Sequence, residues 1–117
     1  MVLLLDGVEA TGAGLAYRVG DGQRIKFLNK YTVQIWWTNS GGSVTAMTVD
    51  LEGSLNGSHW FTLASHGLTA GEITAKAAMY HVEGKVIEYV RGNITALTET
   101  GTTKVYVGFS PTFLKMM

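Results

Sequence analysis

Residues 31–38, YTVQIWWT, alternate without a break. Tyr31, Val33, Ile35 and Trp37 fall on one side of an extended chain, and Thr32, Gln34, Trp36 and Thr38 fall on the other. Side chains along a strand point to opposite faces in turn, so a period of two predicts a strand with one buried face and one partly wet face. The rest of the chain repeats this form. Short extended runs recur, separated by Gly, Asn, Asp and Ser clusters, which is the spacing of an all-β domain.

The runs place the strands. Residues 2–5 (VLLL), closed by Asp6-Gly7, read as a first strand, and residues 11–14 (TGAG) as a loop. Residues 15–19 and 24–28 are short candidates. Residues 44–55 form the longest run, with Met47, Val49 and Leu51 facing one way and Thr48, Asp50 and Glu52 the other. Val44 and Ala46 fall out of that register, which a bulge near Ala46-Met47 or a wide edge contact would explain; Gly53 is a candidate second irregularity. Asn56-Gly57 between extended runs predicts a tight hairpin with positive φ at both residues. Residues 60–64 return, with Phe61 and Leu63 inward.

Residues 68–76 are the one stretch compatible with a helical turn, with Thr69 and Glu72 spaced as a capping box; a loop fits equally. Residues 77–82 form a strand, Glu83-Gly84 a turn, and residues 86–97 a long strand with Val90, Gly92, Ile94 and Ala96 on one side. Residues 104–109 close the pattern with Val105, Val107 and Phe109 inward. The reading is one all-β domain over residues 1–117, an antiparallel two-sheet sandwich of jelly-roll type with eight or nine strands. Residues 1–14 and 111–117 are expected to act as contact arms, because termini reach neighbours without disturbing a core.

Several functions find no footing. Nine Lys and Arg balance nine Asp and Glu, so the basic excess of a nucleic-acid binder is missing. The apolar run at residues 2–5 is shorter than the roughly 7–15 residues of a signal peptide or the roughly 20 of a membrane span. With no Cys there is no disulfide frame and no thiolate site. His59, His66 and His81 stand in or near turns without any nucleophile or metalloprotease motif. Asp50 and Glu52 share a strand face but need further oxygen ligands to hold calcium, so a solvated face is the plainer reading. No catalytic, cofactor or metal site is expected. Asn56-Gly57-Ser58 and Asn93-Ile94-Thr95 match a glycosylation pattern by chance.

The aromatic residues carry more. Trp36 and Trp60 both lie off the inward register, and the chain closes on Phe113, Leu114, Met116 and Met117. Apolar surface of this kind marks interfaces. The expected partner contacts are Leu3, Leu4, Trp36, Phe113, Leu114, Met116 and Met117. The alternative is a carbohydrate-binding module in which Trp36 or Trp60 stacks on a sugar and Asn56 binds its hydroxyls, with Asp50 and Gln34 as further candidates.

Residues 53–60 (GSLNGSHW), followed by Tyr89-Val90-Arg91, resemble the "S-x-DG-x-x-W … RYVR" pattern of discoidin-like and galactose-binding-like jelly rolls. Here Asn56 replaces the usual Asp, and Glu88-Tyr89 replaces Arg-Tyr. In that superfamily the motif belongs to the scaffold, so it implies a hairpin with Trp60 as a packing anchor. More of the chain is similar to small virion proteins of tailed bacteriophages: "TGAG" at residues 11–14, "V-x-LEGSLDG-x-x-W-x-x-L" at 49–63, "YVR-x-NIT" at 89–95 and a Val-rich last strand at 104–109. This resemblance implies a non-enzymatic head decoration protein, or a neck or tail component. It would sit in the virion, homo-oligomeric, and bind the major capsid protein or other virion subunits.

Overall fold

The computed structural model describes residues 1–19, 28–68 and 77–111, and among them every regular element is a strand. In chain order these are β1 (Val2–Val8), β2 (Gly12–Ala13), β3 (Tyr17–Arg18), β4 (Leu28–Ser40), β5 (Val44–Ser54), β6 (Phe61–Leu68), β7 (Ala77–Ile87), β8 (Tyr89–Glu99) and β9 (Thr102–Pro111). They form two antiparallel sheets. The first has the order β1-β9-β4-β7 and the second β2-β8-β5-β6, with β3 also pairing β8. First pairs with last, β1 with β9, then β2 and β3 with β8, β4 with β7, and β5 with β6. This nested pairing is the wrapped order of a jelly roll.

The core lies between the sheets where the alternation predicts. Tyr31, Val33, Ile35 and Trp37 of β4 meet Val105, Val107 and Phe109 of β9, all buried, and the second sheet supplies Met47, Val49, Leu51, Val90 and Ile94. Each such side chain taken from water contributes about 1.5–3 kcal/mol. Of the two explanations for the start of β5, the bulge is the one present. Its register against β8 shifts between Val44 and Ala46, so Val44 and Met47, three apart, both face inward while Ala46 is exposed.

Four expectations are corrected by similar irregularities. In β1 the register slips between Leu3 and Leu5, which turns Leu4 into the core beside Leu5; Leu4 is 7% exposed and is no partner contact. Residues 2–8 are thereby a packed strand and not a free arm. Glu83-Gly84 is a bulge inside β7 and not a turn. Lys30 pairs Glu83 while Leu28 pairs Ile87, so β7 carries extra residues there, and Gly84 has φ +77°, open to glycine without strain. The chain changes sheet at Glu88, dividing the run 86–97 between β7 and β8. There Val19 N–H donates to the Glu88 carbonyl, and Glu88 N–H donates to the Ser54 carbonyl. In β8, Thr48 pairs Ala96 but Val49 pairs Ile94, which rotates Ala96 outward.

The candidate strand 15–19 shrinks to Tyr17–Arg18. Most of the 24–28 candidate and the possible helical turn over 69–76 lie outside the described residues. So do Phe113, Leu114, Met116 and Met117. Pro111 is the last residue of β9, paired with Tyr31.

Candidate docking faces and loop

The outward face of the four-stranded sheet is built row by row from register. Residues directly opposite on neighbouring strands point to the same side. One row reads Leu3, Gly108, Gln34, Met79 across β1, β9, β4 and β7; the next reads Tyr106, Trp36, Ala77. Trp36 and Tyr106 lie parallel, with ring centroids 5.3 Å apart and planes 4° from one another. Gly108 carries no side chain because none fits: a Cβ there would run into Met1 Sδ and lie 3.2 Å from Trp36. Met1 therefore rests over bare backbone beside the indole. Met79 is 66% exposed and Leu3 43%. The result is an outward face that carries Leu3, Met1, Trp36, Tyr106 and Met79, with Gln34 between Gly108 and Met79.

A polar row borders these residues. Thr32 Oγ1 lies 3.1 Å from His81 Nδ1, and His81 Nε2 lies 3.2 Å from Glu83 Oε1. The connectivity is that of a hydroxyl, an imidazole and a carboxylate in series. It sits on an exposed strand surface, where such cross-strand pairs support the sheet, and it lines neither groove described below. Among the described residues no three His, Asp or Glu side chains gather as a metal set. Asp50 accepts from Ser65 Oγ, and Glu52 is held by Arg91 and Asn93.

The 54–60 loop forms by self-capping and differs from the expected tight turn. Gly57 has φ +77°, but among the described residues, Asn56 included, no non-glycine residue has positive φ, so Asn56 does not share the two-residue hairpin geometry. Instead the buried Ser54 Oγ accepts from the N–H groups of Asn56 and Gly57 at 3.2 and 2.9 Å and donates to Asn56 Oδ1. Asn56 Oδ1 also accepts from the N–H groups of Ser58 and His59, both at 2.9 Å, and the Asn56 amide reaches His59 Nδ1 at 2.9 Å. Short polar side chains satisfy the loop backbone in place of a ladder.

Trp60 is half-buried on the outer face of the second sheet. The Arg91 guanidinium lies 4.2 Å from its ring centroid, and Arg91 Nε donates to Glu52 Oε1 at 2.7 Å. Trp60 is thus anchored by a cation over its ring and not by the core. Its neighbour Phe61 pairs the buried Gly53 and so keeps the inward side expected from alternation, but it is 68% exposed because the edge is open there and it walls a groove with Leu63 and Ile87.

These placements sort the expected contacts. Leu3 and Trp36, thirty-three positions apart in sequence, meet on one outward face; Leu4 leaves it. Met79 and Tyr106 join the face and were missed, because their strands give no isolated apolar signal. Asn56 engages its side-chain oxygen and amide within the loop, and Arg91 covers one face of the Trp60 ring.

Two grooves open among the described residues. One, of about 520 Å³, opens between β6 and β7 and is lined by Leu55, Phe61, Leu63, Lys85, Val86 and Ile87 among others. The second, of about 490 Å³, lies between β1 and the β2–β3 segment, with Leu15 and Tyr17 on its wall. Comparison with protein-family models, with curated proteins and with solved structures gives no match.

Proposed function

We propose that this chain is a non-enzymatic structural protein of a tailed-bacteriophage virion, most specifically a decoration protein that cements the head. The resemblance of residues 11–14, 49–63, 89–95 and 104–109 to such proteins motivates the assignment. The observation that carries it to a surface is the meeting of Leu3, Trp36, Met79 and Tyr106 on the outward face of the four-stranded sheet. A largely apolar face with aromatic residues and a polar border has the composition of an interface core and rim.

The mechanism is burial of that face against capsid subunits or against other copies of the chain. Repeated over many positions of a shell, modest single contacts sum by avidity. The partners are the major capsid protein or other virion subunits, and the chain acts as a homo-oligomer. The test is co-sedimentation of the purified protein with undecorated phage heads, followed by electron microscopy of the particles. Density over the head lattice supports the proposal. Density confined to the neck or tail moves the chain to those parts of the virion. Loss of binding in Trp36→Ala, with an unchanged melting temperature, assigns the contact to this face.

A further inference from the structure

The groove between β6 and β7 has a different origin from the outward face. β6 is the edge strand of the second sheet and β7 the edge strand of the first, so two edges flank the same open side of the sandwich. At one end the edges are bridged: His66 Nδ1 lies 2.7 Å from the Tyr80 hydroxyl. Beyond that bridge the groove opens between Phe61, Thr62 and Leu63 on one wall and Lys85, Val86 and Ile87 on the other.

Its walls are fixed by specific contacts. The buried Tyr31 hydroxyl donates to the Lys85 carbonyl at 2.9 Å, which holds the Gly84 bulge in place. The bulge leaves Lys85 and Val86 both exposed, Val86 at 51%. Gly53 leaves the floor open to Leu63 and Ile87, since a Cβ there would lie 2.6 Å from each. Opposite, Phe61 and Leu55 stand 68% and 57% exposed. The lining holds Lys85 and His59 and no Asp or Glu, and Lys85 makes no ion pair among the described residues.

We infer that this groove is a docking site for an extended peptide segment of a partner protein, one that sets apolar side chains beside a carboxylate. Three observations define the occupant. Among the described residues the outer edges of β6 and β7 pair with nothing, so each offers backbone donors and acceptors to an added strand. The apolar walls take alternate side chains of that strand. Lys85, a lone cation at the rim, selects an acidic residue over a basic one. The open shape favours a peptide over a small molecule, since small-ligand pockets enclose about 70–90% of their occupant. This inference uses a different surface from the outward sheet face and stands or falls separately from it.

The test is selection from a random heptapeptide library displayed on a carrier, run in parallel on the intact protein and on Lys85→Glu. Lys85 is exposed on a bulge, so the substitution leaves the core untouched. The expected result is enrichment of sequences alternating apolar and acidic residues on the intact protein. Affinity for one such peptide should fall about fivefold or more on Lys85→Glu, and Lys85→Glu should enrich basic residues instead. Phe61→Ser should lose all the peptides while keeping its melting temperature. NMR amide shifts on binding should concentrate in residues 61–63 and 85–87. An empty selection, or the same enriched set on both proteins, overturns the inference. So does binding of a small aromatic carboxylate to the groove when no peptide binds.

Discussion

Replacing Tyr31 by Phe should make the protein less stable at neutral pH and more stable above about pH 11, an inversion that follows from one buried hydroxyl. Tyr31 is fully buried, and burial raises its pKa from the usual 10.0 to about 12 by penalising the phenolate. Its hydroxyl donates to the Lys85 carbonyl at 2.9 Å. At pH 7 the loss of that bond should cost about 1 kcal/mol, kept small because water can reach the exposed Lys85 backbone. The pH dependence runs in one direction. A folded-state pKa above the unfolded value gives stability that is complete below pH 10 and lost as pH rises toward 12. The two-unit shift corresponds to about 2.7 kcal/mol, of which about half is gone by pH 11. The native protein thus loses about 1.4 kcal/mol by pH 11, and Tyr31→Phe loses none of this. The two stability curves should cross slightly below pH 11. Guanidinium unfolding followed by tryptophan fluorescence, on both proteins between pH 7 and 11.5, measures the difference directly, and the other tyrosines and lysines cancel in it. A difference that stays constant across this range would refute the assignment of Tyr31 as a buried titrating group.

Four further outcomes are expected. Gly92→Ala should destabilise by about 1–3 kcal/mol in denaturant titration, because a Cβ there lies 2.8 Å from Leu5 Cγ and 3.5 Å from Val107 in a filled core. Ser54→Ala should cost about 1–2 kcal/mol, since it strips the loop N–H groups of Asn56 and Gly57 of their acceptor; amide exchange at those two residues should accelerate. Leu3→Asp combined with Met79→Asp should leave the melting temperature within a few degrees while abolishing co-sedimentation with phage heads. Removal of residues 112–117 should leave a folded sandwich, because the described core closes at Pro111, and a large fall in melting temperature would show that the tail packs on its own domain.

The core was legible where side-chain parity is unbroken. In β4 and β9 every inward residue named from alternation is buried, because both strands are central in their sheet and each slip of register would move apolar groups into water. The expectations failed at the irregularities. Leu4 and Ala96 each sit at a register shift, and each shift reverses the face assigned to the next side chain; Phe61 keeps its side opposite Gly53 and is exposed because the sandwich is open at that edge. Sequence signals a bulge only when the apolar pattern breaks visibly, as at Val44 and Ala46. Where the inserted residue is itself apolar, as Leu4 is, the run reads as continuous. Glu83-Gly84 was misread because a bulge and a turn call for the same glycine with positive φ. The outward face was half legible. Trp36 was marked by being large and out of phase, but its partners Met79 and Tyr106 come from strands distant in sequence and are assembled only by pairing.

The two proposed surfaces share strand β7, and this has a consequence for how the chain would act. Met79 faces outward from the first sheet, while Val86, beyond the Gly84 bulge, lines the groove. Seven residues of strand separate them by about 20 Å, so one partner can occupy the face while another occupies the groove. Neither surface alone needs high affinity. Two sites held on one rigid sandwich raise the effective concentration of the second partner once the first is bound, and the gain is lost if either is disabled. A variant with only its groove blocked, such as Phe61→Ser, should therefore still bind isolated capsid subunits through the outward face. It should dissociate faster from assembled heads, where both contacts are available. If Phe61→Ser leaves heads at the native rate while having lost the selected peptides, the groove serves a partner outside the shell, and cementing rests on the sheet face alone.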